Sequence, residues 1–199
     1  MKVLVVHAHP DPESFGSALR DAVVRGLETA DHDVTVIDLE AEDYQPCLTT
    51  ADYDGYEQNG DPGGPGHPDA TVARHIEAVR ATDALVFTFP TFWSGLPAVL
   101  KGWIDRTMLP GVSFSVRDNG SVRGELRNVR RVVGVTTYGS PRGYRWLVGD
   151  GGRRTIRTIR WSCGPRCRMR WLSLDALDGR PDSERGAFLT DVEHEMANL

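Results

Sequence analysis

Apolar residues recur along this chain in two alternating patterns. Five short runs rich in apolar and β-branched residues are typical of β-strands, and they lie at residues 1–6, 33–39, 85–89, 131–137 and 168–174. Between them, apolar residues spaced three and four apart predict helices at residues 14–30, 70–81, 96–106, 149–161 and 181–197. Strands that alternate with helices, without an internal repeat, predict a doubly wound α/β fold. The expected sheet has five parallel strands in the order 2-1-3-4-5, with helices on both faces.

Two segments follow neither pattern. Residues 40–69 form the least regular part, and their Gly- and Pro-rich run at 59–66 has the composition of a flexible loop. Such a loop is either a lid over a site or a solvated insertion, and the sequence leaves both open. Residues 110–130 are also irregular, although the Asp118-Asn119-Gly120 turn is suited to closing a β-hairpin.

Composition narrows the class of protein. A chain of 199 residues has the length of one domain, so we expect residues 1–199 to form a single domain. The net charge of −5 argues against a general nucleic-acid binder. The apolar run at residues 3–6 is far shorter than the ~20 residues of a membrane helix, and no membrane insertion is expected. Cys47, Cys163 and Cys167 form no CxxC pair, which favours reduced thiols and a cytoplasmic location.

The stretch VFTFPTFWSGLPAVLKGWIDRTM contains an uncharged strand, an aromatic loop and a helix. We expect the strand to end before Pro90, because proline has no amide hydrogen to donate. Phe92 and Trp93 then lie in the loop, and Pro97 suits the first turn of the helix. In open α/β sheets, ligands bind outside the carboxyl ends of the strands. This loop is therefore predicted to be a ligand platform.

Three loops are predicted to meet at one edge of the sheet, because the strands that precede them are neighbours in the order 2-1-3-4-5. The first of these loops, HAHPDPESFGS, suits a phosphate group. Ser14 can cap the following helix, which would leave the amides of Phe15, Gly16 and Ser17 free at its positive end. His9 can supply a further donor, and neither GxGxxG nor the Walker fingerprint is present.

The second and third loops, PTFWSGLP and TTYGSPRGY, suit a flat ring. Aromatic side chains of the second loop offer stacking faces, and its amides from 91 to 94 offer hydrogen-bond donors to ring-edge atoms. The third loop allows close approach of its backbone and carries a phenol as donor. The residues concerned are Phe92, Trp93, Thr136, Thr137, Gly139 and Tyr144. Together with the first loop they indicate a phosphate-bearing planar ring, which among common cofactors describes a flavin.

These motifs resemble the flavodoxin-like NAD(P)H dehydrogenase (quinone) family over residues 1 to about 177. HAHPDPESFGSAL resembles the family's His-x-x-x-x-Ser-Phe-Asn flavin-phosphate loop. PTFWSGLPAVLKGWIDRTM resembles its Pro-x-x-Trp-x-x-x-Pro-Ala-x-Leu-Lys-Gly-Trp segment closely, and TTYGSPRGY resembles its Thr-Thr-Gly-Gly segment followed by a Tyr. The resemblance implies a flavodoxin-like fold and a flavin-dependent NAD(P)H:quinone oxidoreductase.

The resemblance also implies residue roles. Cofactor-binding residues would be His9, Ser14, Phe15, Gly16 and Ser17 at the phosphate end, Pro90, Thr91, Phe92 and Trp93 along the ring, and Thr136, Thr137, Tyr138, Gly139 and Tyr144 at its other edge. Tyr144 would be catalytic by stabilising negative charge on the reduced ring. The implied cofactor is FMN, with FAD as the alternative, and NAD(P)H is the implied co-substrate. A quinone or similar acceptor and a second copy of the chain in a homodimer are the implied partners, and no metal is expected.

The chain departs from the family pattern at three positions. Gly16 stands where the family often has Asn, which removes one side-chain contact. Tyr138 stands where Gly is usual, and its side chain is expected to narrow the substrate pocket or add a stacking surface. Better-known animal members place a His six residues after the Tyr as part of a proposed proton relay. Asp150 occupies that position here, so the relay role is not carried over.

Other functions stay open from the sequence. His9-Pro10-Asp11 followed by Glu13 is similar to the first loop of zinc-dependent sugar deacetylases, but Pro12 replaces a required Asp and no HxxH pair follows. Some relatives are regulatory flavoprotein subunits of potassium-efflux systems, and flavodoxin-like folds also serve as one-electron carriers. The choice between NADH and NADPH and the physiological electron acceptor are undetermined.

Overall fold

The computed structural model describes residues 1–57 and 69–199, with the side chains of 55–57 left out. Its main sheet has five parallel strands: β1 (Lys2–His7), β2 (Asp33–Asp38), β3 (Ala84–Pro90), β6 (Arg131–Thr137) and β7 (Arg168–Leu174). Their order is β2-β1-β3-β6-β7. Counted within the sheet, this is the predicted order 2-1-3-4-5. The fold class is therefore confirmed.

Helices cover both faces of the sheet. Helices α1 (Phe15–Thr29) and α7 (Asp182–Ala197) share one apolar cluster with β1, β3 and β6. Helices α3 (Ala70–Ala81), α4 (Ala98–Thr107) and α6 (Gly151–Ser162) share a second cluster on the opposite face. Successive residues of a strand point to opposite faces, so Val5 and Val86 join the first cluster whereas Leu4 and Phe87 join the second.

One glycine in the sheet shows how tightly the second face is packed. A Cβ atom at Gly134 would lie 2.2 Å from the ring of Trp171, which stands opposite it in the register of β6 and β7. Trp171 in turn packs edge-on against Phe89, with ring centroids 6.0 Å apart. The glycine therefore makes room for an indole on the edge strand.

Two helices were not predicted from the apolar pattern. Helix α2 (Thr50–Glu57) lies in the segment that we expected to be irregular, and α5 (Arg142–Val148) lies in the expected third loop. The Gly- and Pro-rich run at 59–66 lies outside the described residues. The expected hairpin is present as β4 (Phe114–Val116) and β5 (Val122–Gly124), which pair in antiparallel fashion.

Some predicted boundaries were wrong. Pairing of β3 with β6 continues through Pro90, because the next amide, that of Thr91, donates to the Thr137 carbonyl at 2.9 Å. Helix α4 begins at Ala98 with Pro97 as its N-cap, and α6 begins at Gly151, after Asp150. Ser14 precedes α1 as its cap.

A buried polar layer joins α4 to the segment before α3. Arg106 on α4 forms ion pairs with Asp52 and with Asp69, each at 2.9 Å. The indole of Trp103 donates to His75 Nδ1 at 3.2 Å, and the other ring nitrogen of His75 lies 3.0 Å from a Glu42 oxygen. Burial lowers the pKa of His75, with Glu42 opposing that shift. This layer ties α4 to α2 through Asp52 and to α3 through His75.

Two further observations concern the described part of the chain. None of its helices has the length and apolar character needed to cross a membrane. Cys47, Cys163 and Cys167 are free thiols, and the last two are buried.

Candidate functional site

The carboxyl ends of β1, β3 and β6 lie side by side, as their register requires. His7 pairs with Thr88, and Pro90 pairs with Thr137. The hydroxyls of Thr91 and Thr136 lie 3.0 Å apart, so the second and third loops are joined directly. The first loop starts beside them, because the Ala8 amide donates to the Thr88 carbonyl at 3.0 Å. The predicted meeting of three loops at one sheet edge is present.

The first loop is organised around Asp11. Its carbonyl accepts from the Ser14 amide at 3.2 Å and from the Ser17 hydroxyl at 2.9 Å. Ser14 caps α1 by accepting the Ser17 amide at 3.1 Å, so the prediction that this amide is free was wrong. The amides of Phe15 and Gly16 donate to no other described residue and remain available at the positive end of α1.

The lack of a side chain at Gly16 leaves room for the His9 ring. A Cβ atom at position 16 would lie 2.6 Å from His9 Cδ2, so the imidazole lies directly over the first turn of α1. The Asp11 amide donates to His9 Nδ1 at 3.0 Å. The Asp11 carbonyl lies 3.1 Å from the same nitrogen. In the neutral tautomer whose Nδ1 accepts the Asp11 amide, Nε2 carries the proton and is a donor at the helix start. A side chain at position 16 would collide with the His9 ring, so glycine at this position goes with the observed place of the imidazole.

His7 was missed by the sequence analysis. It ends β1 in an almost fully buried position, and its Nδ1 lies 2.8 Å from the Thr88 hydroxyl. Nε2 has no hydrogen-bond partner among the described residues. Burial lowers the pKa of His7 to about 4, so the ring stays neutral beside the Arg20–Asp38 ion pair. The signal in the sequence that could have identified this residue was a histidine at the end of an apolar strand.

The second loop is a tight turn that carries Trp93 into solvent. The Gly95 amide donates to the Phe92 carbonyl at 2.9 Å, and the Phe92 amide donates to the Gly95 carbonyl at 3.3 Å. Trp93 and Ser94 between them have φ of 47° and 59°, as a two-residue hairpin turn of the primed type requires. The relative exposure of Trp93 is 104%. The Ser94 carbonyl accepts from the Gly151 amide at 2.8 Å, which fixes the turn to α6.

Tyr138 in the third loop is buried, contrary to the expectation that its side chain narrows the pocket or adds a stacking surface. Its hydroxyl donates to Asp150 Oδ2 at 2.7 Å, and the guanidinium of Arg145 lies 4.1 Å from its ring centroid. Burial and the neighbouring Asp150 raise the pKa of Tyr138 to about 12. Its side chain therefore stabilises the loop from inside.

Tyr144 lies on α5 and is half-exposed. None of the residues of α5 is buried. Further along the helix, Trp146, Leu147 and Val148 also expose large apolar side chains. The third wall of the site is thus a surface helix with an open apolar face.

The residues at this edge fit a phosphate-bearing flat ring: open amides on a helix start, an exposed indole, and threonine hydroxyls between two strands. Comparison with known proteins agrees. The model of the family Flavodoxin_2, described as a flavodoxin-like fold, matches residues 1–164. The chain belongs to this family. Flavin dependence is consistent with that fold.

Individual relatives define the class of enzyme further. The chain is 33% identical over 166 residues to the Homo sapiens ribosyldihydronicotinamide dehydrogenase [quinone], an alignment that covers 77% of this chain and 70% of the human one. Smu.1420 from Streptococcus mutans superposes over all of both chains with a TM-score of 0.84 and 27% identity. The NAD(P)H:quinone oxidoreductase from Methanothermobacter marburgensis has a TM-score of 0.81 at 24% identity, over 100% of this chain and 96% of its own, which shows the shared fold. The predicted family and the predicted oxidoreductase class are confirmed.

The zinc alternative gains no support. Within residues 1–57 and 69–199, no group of three or more His, Cys, Asp or Glu side chains is placed to hold a metal ion. A metal ion bound through His9 Nδ1 would have to replace the hydrogen bond that this nitrogen accepts from the Asp11 amide. The human and Methanothermobacter marburgensis proteins are named as quinone oxidoreductases, not as transporter subunits or electron carriers.

Proposed function

We propose that this chain transfers two electrons from NADH or NADPH to a quinone through a flavin bound at the carboxyl edge of the sheet. The observation that carries the proposal is the placement of an amide-rich helix start beside an exposed indole on neighbouring strand ends. A bound flavin supplies the hydride and electron chemistry, while the protein binds and orients the reactants.

The first loop would hold the phosphate end. The amides of Phe15 and Gly16 and the Nε2 proton of His9 converge on the start of α1, where the helix dipole favours an anion. The hydroxyls of Ser14 and Ser17 lie 3.1 Å apart beneath them and keep the turn in shape. These donors suit one phosphate group, which supports FMN over FAD.

The second and third loops would hold the ring. Pro90, Thr91, Phe92 and Trp93 form one wall, and the backbone from Thr136 to Gly139 forms the other. The amides of Trp93 and Ser94 donate to no described residue and are available to ring-edge atoms. The Tyr144 hydroxyl would donate a hydrogen bond where negative charge accumulates during reduction, as electrostatic stabilisation of a reacting group requires.

A second copy of the chain would complete the site. Large apolar side chains of α5 and of the Phe92–Gly95 turn are exposed at the same edge, and monomers rarely leave such patches open. We therefore propose a homodimer in which the partner covers this face. We further propose that residues 1–199 form one flavin-binding domain that works in the cytoplasm.

The proposal is tested by the absorbance spectrum of the purified protein and by chromatography of the released flavin. Anaerobic mixing with NADH and with NADPH then compares the two rates of flavin reduction, and a quinone is added last. A colourless protein that binds neither FMN nor FAD would contradict the proposal.

Trp93→Ala tests the stacking wall. The side chain is fully exposed, so we expect the free energy of unfolding to change by less than about 0.5 kcal/mol. Loss of one stacking face should weaken flavin binding about tenfold. Trp161→Ala is the control, because Trp161 is half-exposed near the opposite end of α6. Equal flavin affinities in the two variants would remove Trp93 from the site.

Tyr144→Phe tests the catalytic role. The side chain is half-exposed, so folding should be unaffected, whereas flavin reduction and quinone turnover should slow about 10- to 100-fold. Stopped-flow absorbance measures both half-reactions. Turnover at the rate of the unmodified protein would show that Tyr144 has no part in the chemistry.

A further inference from the structure

Helix α5 is attached to the rest of the fold by one side chain in particular. Arg145 is the residue of α5 whose side chain is largely covered, with 13% of it exposed. Beside it, residues of α5, α6, β7 and α7 line an open pocket of about 520 Å³. Arg145 reaches across to Asp175 at 3.0 Å and to the Ser173 hydroxyl at 3.3 Å. The helix that carries Tyr144 therefore depends on a polar contact and not on an apolar face.

The guanidinium of Arg145 is held from the other side by Tyr138. It lies 4.1 Å from the centre of that ring, a distance at which a cation and an aromatic face attract each other. The Tyr138 hydroxyl donates to Asp150 Oδ2 at 2.7 Å. We call Tyr138, Arg145, Asp150 and Asp175 the Arg145 cluster.

Asp150 connects this cluster to the next helix. Its Oδ1 accepts the Arg153 amide at 2.9 Å and thereby caps α6, and its Oδ2 accepts the Tyr138 phenol. Gly149, with φ of 86°, makes the left-handed turn between α5 and α6 that brings Asp150 to this position. Both oxygens of the carboxylate are thus engaged in fixing the chain on either side of α5.

The two partners of the 2.7 Å bond, one in the third loop and one at the start of α6, are both positions at which the chain departs from the family pattern. A tyrosine in place of the usual glycine fills the space beneath Arg145. An aspartate at the position of the relay histidine accepts the hydrogen bond from that tyrosine. The two departures are complementary, since Tyr138 and Asp150 bond to each other and each also contacts Arg145, Asp150 through an ion pair at 3.8 Å.

We propose that Tyr138 and Asp150 act as one positioning unit that, through Arg145, fixes α5 and so sets the position of Tyr144. They are positioning residues and not members of a proton relay. This inference rests on the proposed function for its effect on turnover, but not for its effect on α5 itself.

The effect on α5 is measured without flavin, by amide hydrogen exchange of the flavin-free protein. Arg145→Met removes the contacts with Asp175 and Ser173, and we expect the amides of residues 142–148 to exchange about tenfold faster or more, while those of α1 and β1 are unchanged. Arg142→Met, at the exposed start of the same helix, is the matched control. Unchanged exchange of residues 142–148 in Arg145→Met would overturn the proposal.

The pairing of the two departures is tested by Tyr138→Phe, Asp150→Ser and their combination. Phe keeps the ring over Arg145, and Ser remains a good N-cap for α6, so folding should survive in all three. Each single change breaks the same hydrogen bond, because the shorter serine side chain has one oxygen and that oxygen is engaged as the cap. We therefore expect the double variant to show no faster exchange in residues 142–148 than the faster single variant. Additive effects would show that the two side chains act separately.

The link to chemistry is tested by a cycle of Arg145→Met and Tyr144→Phe. If the cluster acts through Tyr144, Arg145→Met slows flavin reduction about tenfold when Tyr144 is present and less than twofold in the Tyr144→Phe background. The KM for NADH or NADPH should change by a smaller factor than the rate of flavin reduction, because α5 would set the position of Tyr144 relative to the flavin ring. Equal slowing in both backgrounds would overturn the link. Failure of the protein to bind flavin would instead contradict the proposed function, and the exchange data would still decide the role of the cluster.

Discussion

The helices α4 and α5 both follow a loop of the candidate site, yet they are held in opposite ways. Helix α4 buries Leu100, Trp103 and Arg106, and a Cβ atom at its Gly102 would lie 2.2 Å from the Pro46 carbonyl. Helix α5 buries no residue, and nothing lies within 4 Å of a Cβ atom placed at its Gly143. One helix is locked between layers, while the other lies on the surface beside an open pocket.

This difference gives the two helices different tasks in the candidate site. The helix locked by its buried polar layer gives the Phe92–Gly95 turn a fixed base, so one wall is rigid before any ligand arrives. The surface helix belongs to the low-stability part of the fold, where local opening is easiest. In the proposed function, one wall locked by a buried layer and one wall held by the Arg145 cluster would accept a nicotinamide and an acceptor in turn.

The largest expected effect concerns the polar layer. Arg106→Met leaves Asp52 buried without its guanidinium, and we expect a loss of about 3–5 kcal/mol in the free energy of unfolding. Urea denaturation followed by circular dichroism measures it. Lys101→Met removes an exposed pair with Asp105 on the same helix and should cost less than about 0.5 kcal/mol. Similar losses in the two variants would mean that α4 is not locked by this layer.

Two glycine-to-alanine changes compare the helices directly. Gly102→Ala forces a methyl group into the Pro46 backbone and should destabilise the protein by about 1–3 kcal/mol. Gly143→Ala meets open space and improves helix propensity, so the protein should become more stable, by up to about 1 kcal/mol. Denaturation midpoints of both variants measure the contrast. Changes of the same sign would contradict it.

The smallest expected effect is a pH dependence of the unfolding free energy that comes from His75, in the polar layer beside α4. Burial lowers the pKa of His75 below its usual value of 6.5, so the folded protein binds a proton less readily than the unfolded chain. The contribution to stability is complete above pH 6.5 and is lost as the pH falls through the folded pKa. His75→Gln should flatten the dependence of the unfolding free energy between about pH 7.5 and 5.5.

His194→Gln, an exposed replacement on α7, serves as the control for that measurement. His7, buried on the opposite face, has a pKa lowered to about 4 and contributes in the same window, so the slope should become shallower without vanishing. An unchanged slope in His75→Gln would show that the polar layer does not titrate.

The same contrast explains which elements could be predicted from the sequence. The five strands follow from apolar runs that are local in the sequence, and their order follows from the doubly wound fold class. Helix α5 could not be predicted, because a helix that buries no residue has no apolar period. Helix α2 was missed for a related reason: among its described residues, 50–54, the buried side chain is Asp52, whose partner Arg106 lies 54 residues away.

For the site, topology was more informative than side-chain chemistry. The predicted strand order was enough to place the three loops at one edge of the sheet. The family motifs then supplied the candidate site residues in each loop. The buried position of Tyr138 could not be foreseen, because it depends on Arg145 and Asp150 together. Asp11 was not recognised as the centre of the first loop, since its hydrogen bonds use mainly its backbone.

The turn that presents Trp93 also has a consequence for the rate and affinity of binding. Its two backbone hydrogen bonds and its two residues of positive φ fix the backbone from which the indole projects. A flat ligand that docks there does not have to order a loop, so less conformational entropy is lost on association. The platform should therefore capture flat aromatic molecules broadly, and discrimination among them falls to whatever covers its open side.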